Sequence, residues 1–164
     1  MNEDIDLIRH KPRPRLDLSA YQGFTCFHII LRTAHKRDIF VGDWNYHVFV
    51  DILKEVSEKH GFLVIVYCFM PNHLHLLLES DETGNLKEMM RVFKQMTSFH
   101  FKKATGNRLW QPSYYDRVLR KDEDTLIAAK YIAENPVRAK ILQNASDYLF
   151  TGSFKYNKEE ICGW

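Results

Sequence analysis

Long apolar runs are missing from this 164-residue chain. No stretch approaches the roughly 20 residues that a membrane-spanning helix needs. The opening MNEDIDLIRHKPRPR has no apolar core of the kind a secretory signal requires. Cysteine is scarce: Cys26, Cys68 and Cys162 are an odd number with no C-x-x-C pair, which argues against a disulfide framework and a zinc ribbon. Cys26 and Cys68 fall in apolar segments and read as small core residues. Internal repeats and low-complexity tracts are also lacking. These absences lead to the expectation of a cytoplasmic protein with no membrane partner. What remains is ordinary globular composition: a hydrophobic fraction of 45% is enough for a real core in one domain of common size.

The net charge of +2 conceals a segregation. Residues 87–121 carry nine Lys or Arg against two acids, Glu88 and Asp116, for a local net of +7. Arg9, Lys11, Arg13 and Arg15 add a second basic block near the start. Concentrated positive charge on a balanced protein suits a polyanion partner, because each phosphate contact releases condensed counterions. A solvated helix face gives the same pattern.

The order of elements reads strand, helix, strand, strand, helix, strand, helix. Gly23 to Thr33 alternates as a strand. Asp43 is positioned to cap a helix with apolar Trp44, Val48, Phe49, Ile52, Leu53 and Val56, closed by Gly61. Phe62 to Phe69 is a near-continuous apolar strand, broken at Met70-Pro71-Asn72 and returning as a hairpin from His73 to Glu79. A second helix begins at Asn85, with Glu88 three residues on, and ends at Gly106-Asn107. Its apolar stripe is Leu86, Met89, Met90, Phe93, Met96 and Thr97. The opposite stripe of Lys87, Arg91, Lys94, Ser98 and Lys102 spans about 80° of the helix circumference. Ser113 to Arg120 reads as a fourth strand, and Asp122 or Asp124 caps a last helix running to about Glu134. This order predicts an α+β fold of ferredoxin-like type, an antiparallel sheet with helices on one face and the other face open.

The chemistry concentrates in two places. In Pro71-Asn72-His73-Leu74-His75-Leu76-Leu77-Leu78, residues two apart share a sheet face, so His73 and His75 stand together while the even-numbered leucines point into the core. Two neighbouring imidazoles form a divalent-metal half-site on the face expected to be open; by spacing alone, two satisfied strand histidines are the commoner outcome. On the last helix Tyr131 and Asn135 are one turn apart. Pro136 disfavours helical geometry at Asn135, which places the amide at the helix end. A tyrosine nucleophile with an amide oxygen as third, hard ligand is one reading; Tyr131 packing on Ile127, with Asn135 as a C-cap, is the other.

The segments YCFMPNHLHLLLES, LWQPSYYDRVLR and YIAENPVRAKI, with GFTCFHIILRTAHKRDIF as a first strand, resemble the single-tyrosine HUH transposases, most closely the REP-associated tyrosine transposases. The resemblance covers about residues 21–142, flanked by a basic N-terminal tail (1–20) and a C-terminal extension (143–164). It implies that His73, His75 and Asn135 are metal ligands for Mg²⁺ or Mn²⁺, and that Tyr131 is the catalytic nucleophile. It further implies cleavage of single-stranded DNA beside a hairpin, such as a REP-like palindrome, through a 5′-phosphotyrosine intermediate. Members act as homodimers that exchange the tyrosine helix or as monomers, and the resemblance leaves this choice open. One departure stands out: Asp147-Tyr148-Leu149-Phe150-Thr151-Gly152 replaces the family's Tyr-Pro-Trp-Ser-like turn.

Candidate DNA contacts are Arg13, Arg15, Lys87, Arg91, Lys94, Lys102, Tyr115, Arg117 and Arg120, with Trp110 and Tyr114 as further stacking candidates. The alternative function is a hairpin-DNA-binding regulator that keeps the fold without turnover. A hydrolytic nuclease ranks third, since its products would carry no bound protein.

Overall fold

The computed structural model describes residues 25–42, 44–119 and 122–163. The N-terminal tail with Arg13 and Arg15, and also Asp43 and Arg120, lie outside the described residues.

Strands β1 (Cys26–Arg32), β2 (Phe62–Met70), β3 (His73–Ser80), β4 (Tyr115–Leu119) and β5 (Thr151–Gly152) form one sheet in the order β4-β1-β3-β2-β5. Every neighbouring pair is antiparallel. Helix α1 (Tyr46–Lys59) joins β1 to β2, and helix α2 (Leu86–Thr105) joins β3 to β4. The first six elements are therefore the expected βαββαβ unit of a ferredoxin-like fold.

Alternation along the strands divides the side chains between two cores. Phe27, Ile29 and Leu31 of β1 and Leu74, Leu76 and Leu78 of β3 are fully buried with Phe49, Leu53 and Val56 of α1 and Met89, Met90 and Phe93 of α2. Each such side chain contributes about 2 kcal/mol by leaving water. The odd-numbered face of β3 is different. Helix α3 (Asp122–Arg138) crosses it, packing Ala128, Ala129, Ile132 and Ala133 against Val66, Cys68, Met70 and Leu77. The face expected to be open is thus covered in part, because the small residues of α3 let a third helix approach the sheet closely.

Local signals explain the ends of elements. Asn85 Oδ1 accepts from the Glu88 amide at 3.1 Å to cap α2, and Gly106 closes it at φ 73°. Gly61 closes α1 at φ 75°, where a β-carbon would also collide with Asp81. Helix α1 starts at Tyr46 behind Asn45, two residues later than a cap at Asp43 would place it. The last helix corrects the sequence reading more strongly. It runs through Pro136 to Arg138 rather than ending near Glu134. Pro136 sits in the final turn, where only one intrahelical bond is forfeited, and the chain continues with Ala139 N–H to Asn135 O and Ile141 N–H to Pro136 O, both 2.9 Å. Asn135 is therefore a helical residue and not the terminal cap.

The C-terminal segment is part of the domain's packing. Tyr148 Oη donates to Phe69 O at 2.7 Å, Phe69 N–H donates to Phe150 O at 3.0 Å, and Gly152 lies where any side chain would meet the Tyr67 hydroxyl. Helix α4 (Lys158–Cys162) opens with a capping box between Asn157 and Glu160 and buries Ile161 beneath α3. No helix among the described residues is long and apolar enough to cross a membrane.

Candidate active site

The β2–β3 hairpin turns at Pro71-Asn72 and delivers His73 and His75 to the α3 face of the sheet, with the leucines between them on the other. Their Nε2 atoms converge to 3.1 Å. Two nitrogens bound at about 2.1 Å to one ion, at right angles to each other, stand about 3.0 Å apart, so this pair fits two adjacent positions on a divalent ion. The outer nitrogens are also held. His73 Nδ1 lies 2.7 Å from Asn72 Oδ1, and His75 Nδ1 lies 3.0 Å from Nε2 of His28 on β1. Such outer partners fix ring orientation in metal-binding histidines.

All three imidazoles are held in the neutral form that a ligand requires. Burial, with the positive charge of Arg117 adding to it, pushes His28 down to about 4. Burial and Arg32 push His73 down to about 4. Burial takes His75 well below the usual imidazole range, helped by His73, His28 and Arg32.

Helix α3 brings Tyr131 over this cluster. Its ring centroid lies 6.1 Å from that of His75 and 6.3 Å from that of His28, edge to face in both cases. The guanidinium of Arg138, seven residues along, sits 5.1 Å from the Tyr131 ring. Ile127 is 68% exposed, which removes the reading in which it anchors Tyr131. Asn135, one turn beyond Tyr131, has its Nδ2 buried without a hydrogen-bond partner. A buried unpaired amide nitrogen is costly, and as a donor it calls for an acceptor such as a phosphate oxygen, which leaves the amide oxygen for a cation. No three His, Cys, Asp or Glu side chains among the described residues converge as a closed metal cage. Beside two imidazoles an ion would have positions left for oxygen ligands from an amide, a substrate or water.

Sequence reasoning missed His28. Its only signal was its position in the β1 alternation, two residues from Cys26 and Ile30 on the same face, and a single strand histidine does not distinguish itself from packing. The candidate DNA contacts divide. Tyr115 and Arg117 are exposed on β4, with Tyr115 paired to Ile30 and Arg117 to His28, and so belong to the histidine face. Lys87, Arg91 and Lys102 lie on the outer surface of α2, on the opposite side of the sheet. Two members of that stripe are already committed: Arg91 forms a bidentate pair with Glu88, and Lys94 Nζ donates to the carbonyls of Gln111 and Pro112 at 2.9 and 2.7 Å. Lys94 thus ties down the segment leading into β4 with two of its three donors. Trp110 is likewise a core residue, 2% exposed, with Nε1 donating to Thr97 Oγ1 at 2.8 Å. Tyr114 packs against the same core.

Comparison with known proteins places this geometry in context. The family model described as "Transposase IS200 like" matches residues 24–135. A protein of Haemophilus influenzae named as a REP-associated tyrosine transposase is 22% identical over 151 residues, covering 85% of this chain and 84% of that one. The ISDra2 transposase TnpA of Deinococcus radiodurans is 26% identical over 96 residues, covering 54% of this chain and 68% of that one. Among solved structures, a REP-associated tyrosine transposase bound to a REP hairpin superposes with a TM-score of 0.68 at 19% identity, over 87% of this chain and 82% of that one. A D. radiodurans protein described as a transposase gives 0.52 at 19% identity, over 80% of this chain and 92% of that one. These structures share the fold, and the family match covers the strand that carries His73 and His75 and the last helix as far as Asn135. The chain belongs to the IS200-like transposase family.

Proposed function

We propose that this protein cleaves and rejoins single-stranded DNA beside a hairpin, using Tyr131 as nucleophile. The observation that carries the proposal is the convergence of Tyr131, from α3, on the His73–His75 pair of β3. A divalent ion, Mg²⁺ or Mn²⁺, held by His73, His75 and Asn135 would supply Lewis acidity toward a phosphoryl oxygen.

The chain's own residues do the rest. Tyr131 Oη attacks the scissile phosphorus in line, the P–O3′ bond breaks, and the electron pair departs with the 3′-oxygen. The phenol gives up a proton and the 3′-oxygen takes one, leaving a free 3′-hydroxyl and a 5′-phosphotyrosine. Covalent capture conserves the phosphodiester, so attack by a 3′-hydroxyl reverses the step without ATP. Arg117 and Arg138 surround the site with positive charge that favours a polyanion and the charge gathering on phosphorus. The REP-associated relatives direct the choice of substrate to a REP-like palindrome.

The test is a denaturing gel of the protein incubated with Mn²⁺ and a labelled single strand carrying a hairpin. A DNA–protein adduct that survives boiling in detergent is expected. Its absence, with hairpin binding intact, would leave a DNA-binding regulator; cut DNA with no adduct would point to hydrolysis.

A further inference from the structure

His28 lies outside both the histidine pair and the tyrosine helix, yet its side chain reaches His75 from a different strand. Its Nε2 is 3.0 Å from His75 Nδ1, the rings stack with centroids 5.3 Å apart, and His28 is 9% exposed. A hydrogen bond between two neutral imidazoles needs one proton, and which ring supplies it decides what His75 can do with its other nitrogen.

Without an ion, a single consistent arrangement satisfies every contact in the row. His28 Nε2–H donates to His75 Nδ1, His75 Nε2–H donates to His73 Nε2, and His73 Nδ1–H donates to Asn72 Oδ1. In that arrangement His75 Nε2 carries a proton and cannot bind a metal. We propose that His28 is a positioning residue for the metal site, accepting the Nδ1 proton of His75 so that His75 Nε2 is free to ligate. The inference rests on the metal-binding reading above. The protons balance: His75 moves from the Nε2–H to the Nδ1–H tautomer, His28 does the same, and His73 keeps its Nδ1 proton. Three neutral rings hold three protons before and after. Asn72 fixes the first ligand in its binding tautomer, and His28 is the partner that lets the second follow.

The experiment uses the full chain as wild type, His28→Ala and His28→Gln, with His73→Ala as the reference for a lost ligand. Free Mn²⁺ is counted by its paramagnetic resonance to give the dissociation constant, and melts in chelator check that each variant is folded. His28→Ala should weaken Mn²⁺ binding about 10- to 100-fold, the usual range for loss of such an outer partner. His28→Gln, whose amide oxygen accepts a hydrogen bond, should recover part of the loss and covers the case where the alanine variant does not fold. Hairpin affinity should be unchanged in both. Nitrogen NMR of the labelled wild type supplies a readout that a packing role does not move: His28 should pass from the Nε2–H to the Nδ1–H form as Mg²⁺ saturates the site. Mn²⁺ affinity equal to wild type in a folded His28 variant, or a His28 tautomer indifferent to Mg²⁺, overturns the proposal while leaving the metal site standing. If wild type and His73→Ala bind Mn²⁺ equally poorly, the metal reading itself is overturned and this inference falls with it.

Discussion

Tyr131 differs from phenylalanine by one oxygen, and its ring packs edge to face on two imidazoles that a phenylalanine would meet equally well. Tyr131→Phe should therefore keep fold and hairpin affinity while abolishing the covalent adduct. An adduct formed at the wild-type rate would move the nucleophile elsewhere, and mass spectrometry of the DNA-linked peptide would name it. The histidines proposed as metal ligands should behave differently: His73→Ala and His75→Ala should each suppress cleavage by at least an order of magnitude more than they weaken hairpin binding. Buried neutral imidazoles also give the fold a pH dependence. His28 and His73, pushed down to about 4, resist protonation in the folded state, whereas in the unfolded chain they take up protons near pH 6.5. The unfolded state then binds more protons, so stability is full above pH 6.5 and falls as pH drops toward 4, by about 1.4 kcal/mol per pH unit for each. Urea unfolding in chelator at pH 7.5 and 5 measures this. Equal stability at the two values would mean that the rings take up protons in the folded state as readily as in the unfolded chain.

The scale of the element shows which parts of the molecule the sequence could disclose. Strong periodicity fixed the two helices of the βαββαβ unit to within a few residues, and the Asn85 and Gly106 ends of α2 followed from side-chain and backbone chemistry that acts locally. His73 and His75 were legible because period-2 alternation assigns a face to every strand residue. Helix α3 was read short because Pro136 carries a local cost that tertiary packing of Ala129, Ile132 and Ala133 outweighs. The link from His28 to His75 spans 47 residues of sequence and depends on the register of β1 against β3, which nothing local encodes. The basic stripe of α2 shows the limit of periodicity, since a helical wheel gives the angle of a charge but not its partner. Lys94 is the clearest example, being bonded to two carbonyls of the segment that leads into β4. Lys94→Met keeps the aliphatic stem and removes the donor, so it should cost about 1–2 kcal/mol of stability. Lys87→Gln, an exposed change on the same helix, should stay within about 0.5 kcal/mol. Thermal melts of the two variants decide this; equal melts would return Lys94 to the set of free surface charges.

At the scale of the whole molecule the sheet is a partition. One face is sealed by α1 and α2, and the other carries the histidines, Tyr131 and the arginines at its margin, so a DNA strand that reaches Tyr131 must run on the α3 side. Arg117 on β4 and Arg138 at the end of α3 are exposed there, and Tyr115 presents a 37% exposed ring beside them. Lys87 and Lys102 are a sheet and a helix away. If Arg117 and Arg138 each meet a phosphate, the Arg117→Gln/Arg138→Gln double variant should lower the salt slope of single-strand binding by about 1.4, at roughly 0.7 per contact. The Lys87→Gln/Lys102→Gln double variant should leave the slope unchanged. Preference for one hairpin over another should survive in both, because phosphate contacts position a nucleic acid without reading its bases. Arg138→Gln also removes the cation from the Tyr131 ring, so adduct formation should fall further in the arginine variant than its affinity does. Affinity measured across a salt series separates the two surfaces. A slope lowered by the lysine pair and untouched by the arginine pair would put the DNA on the helical face and leave Tyr131 out of its reach.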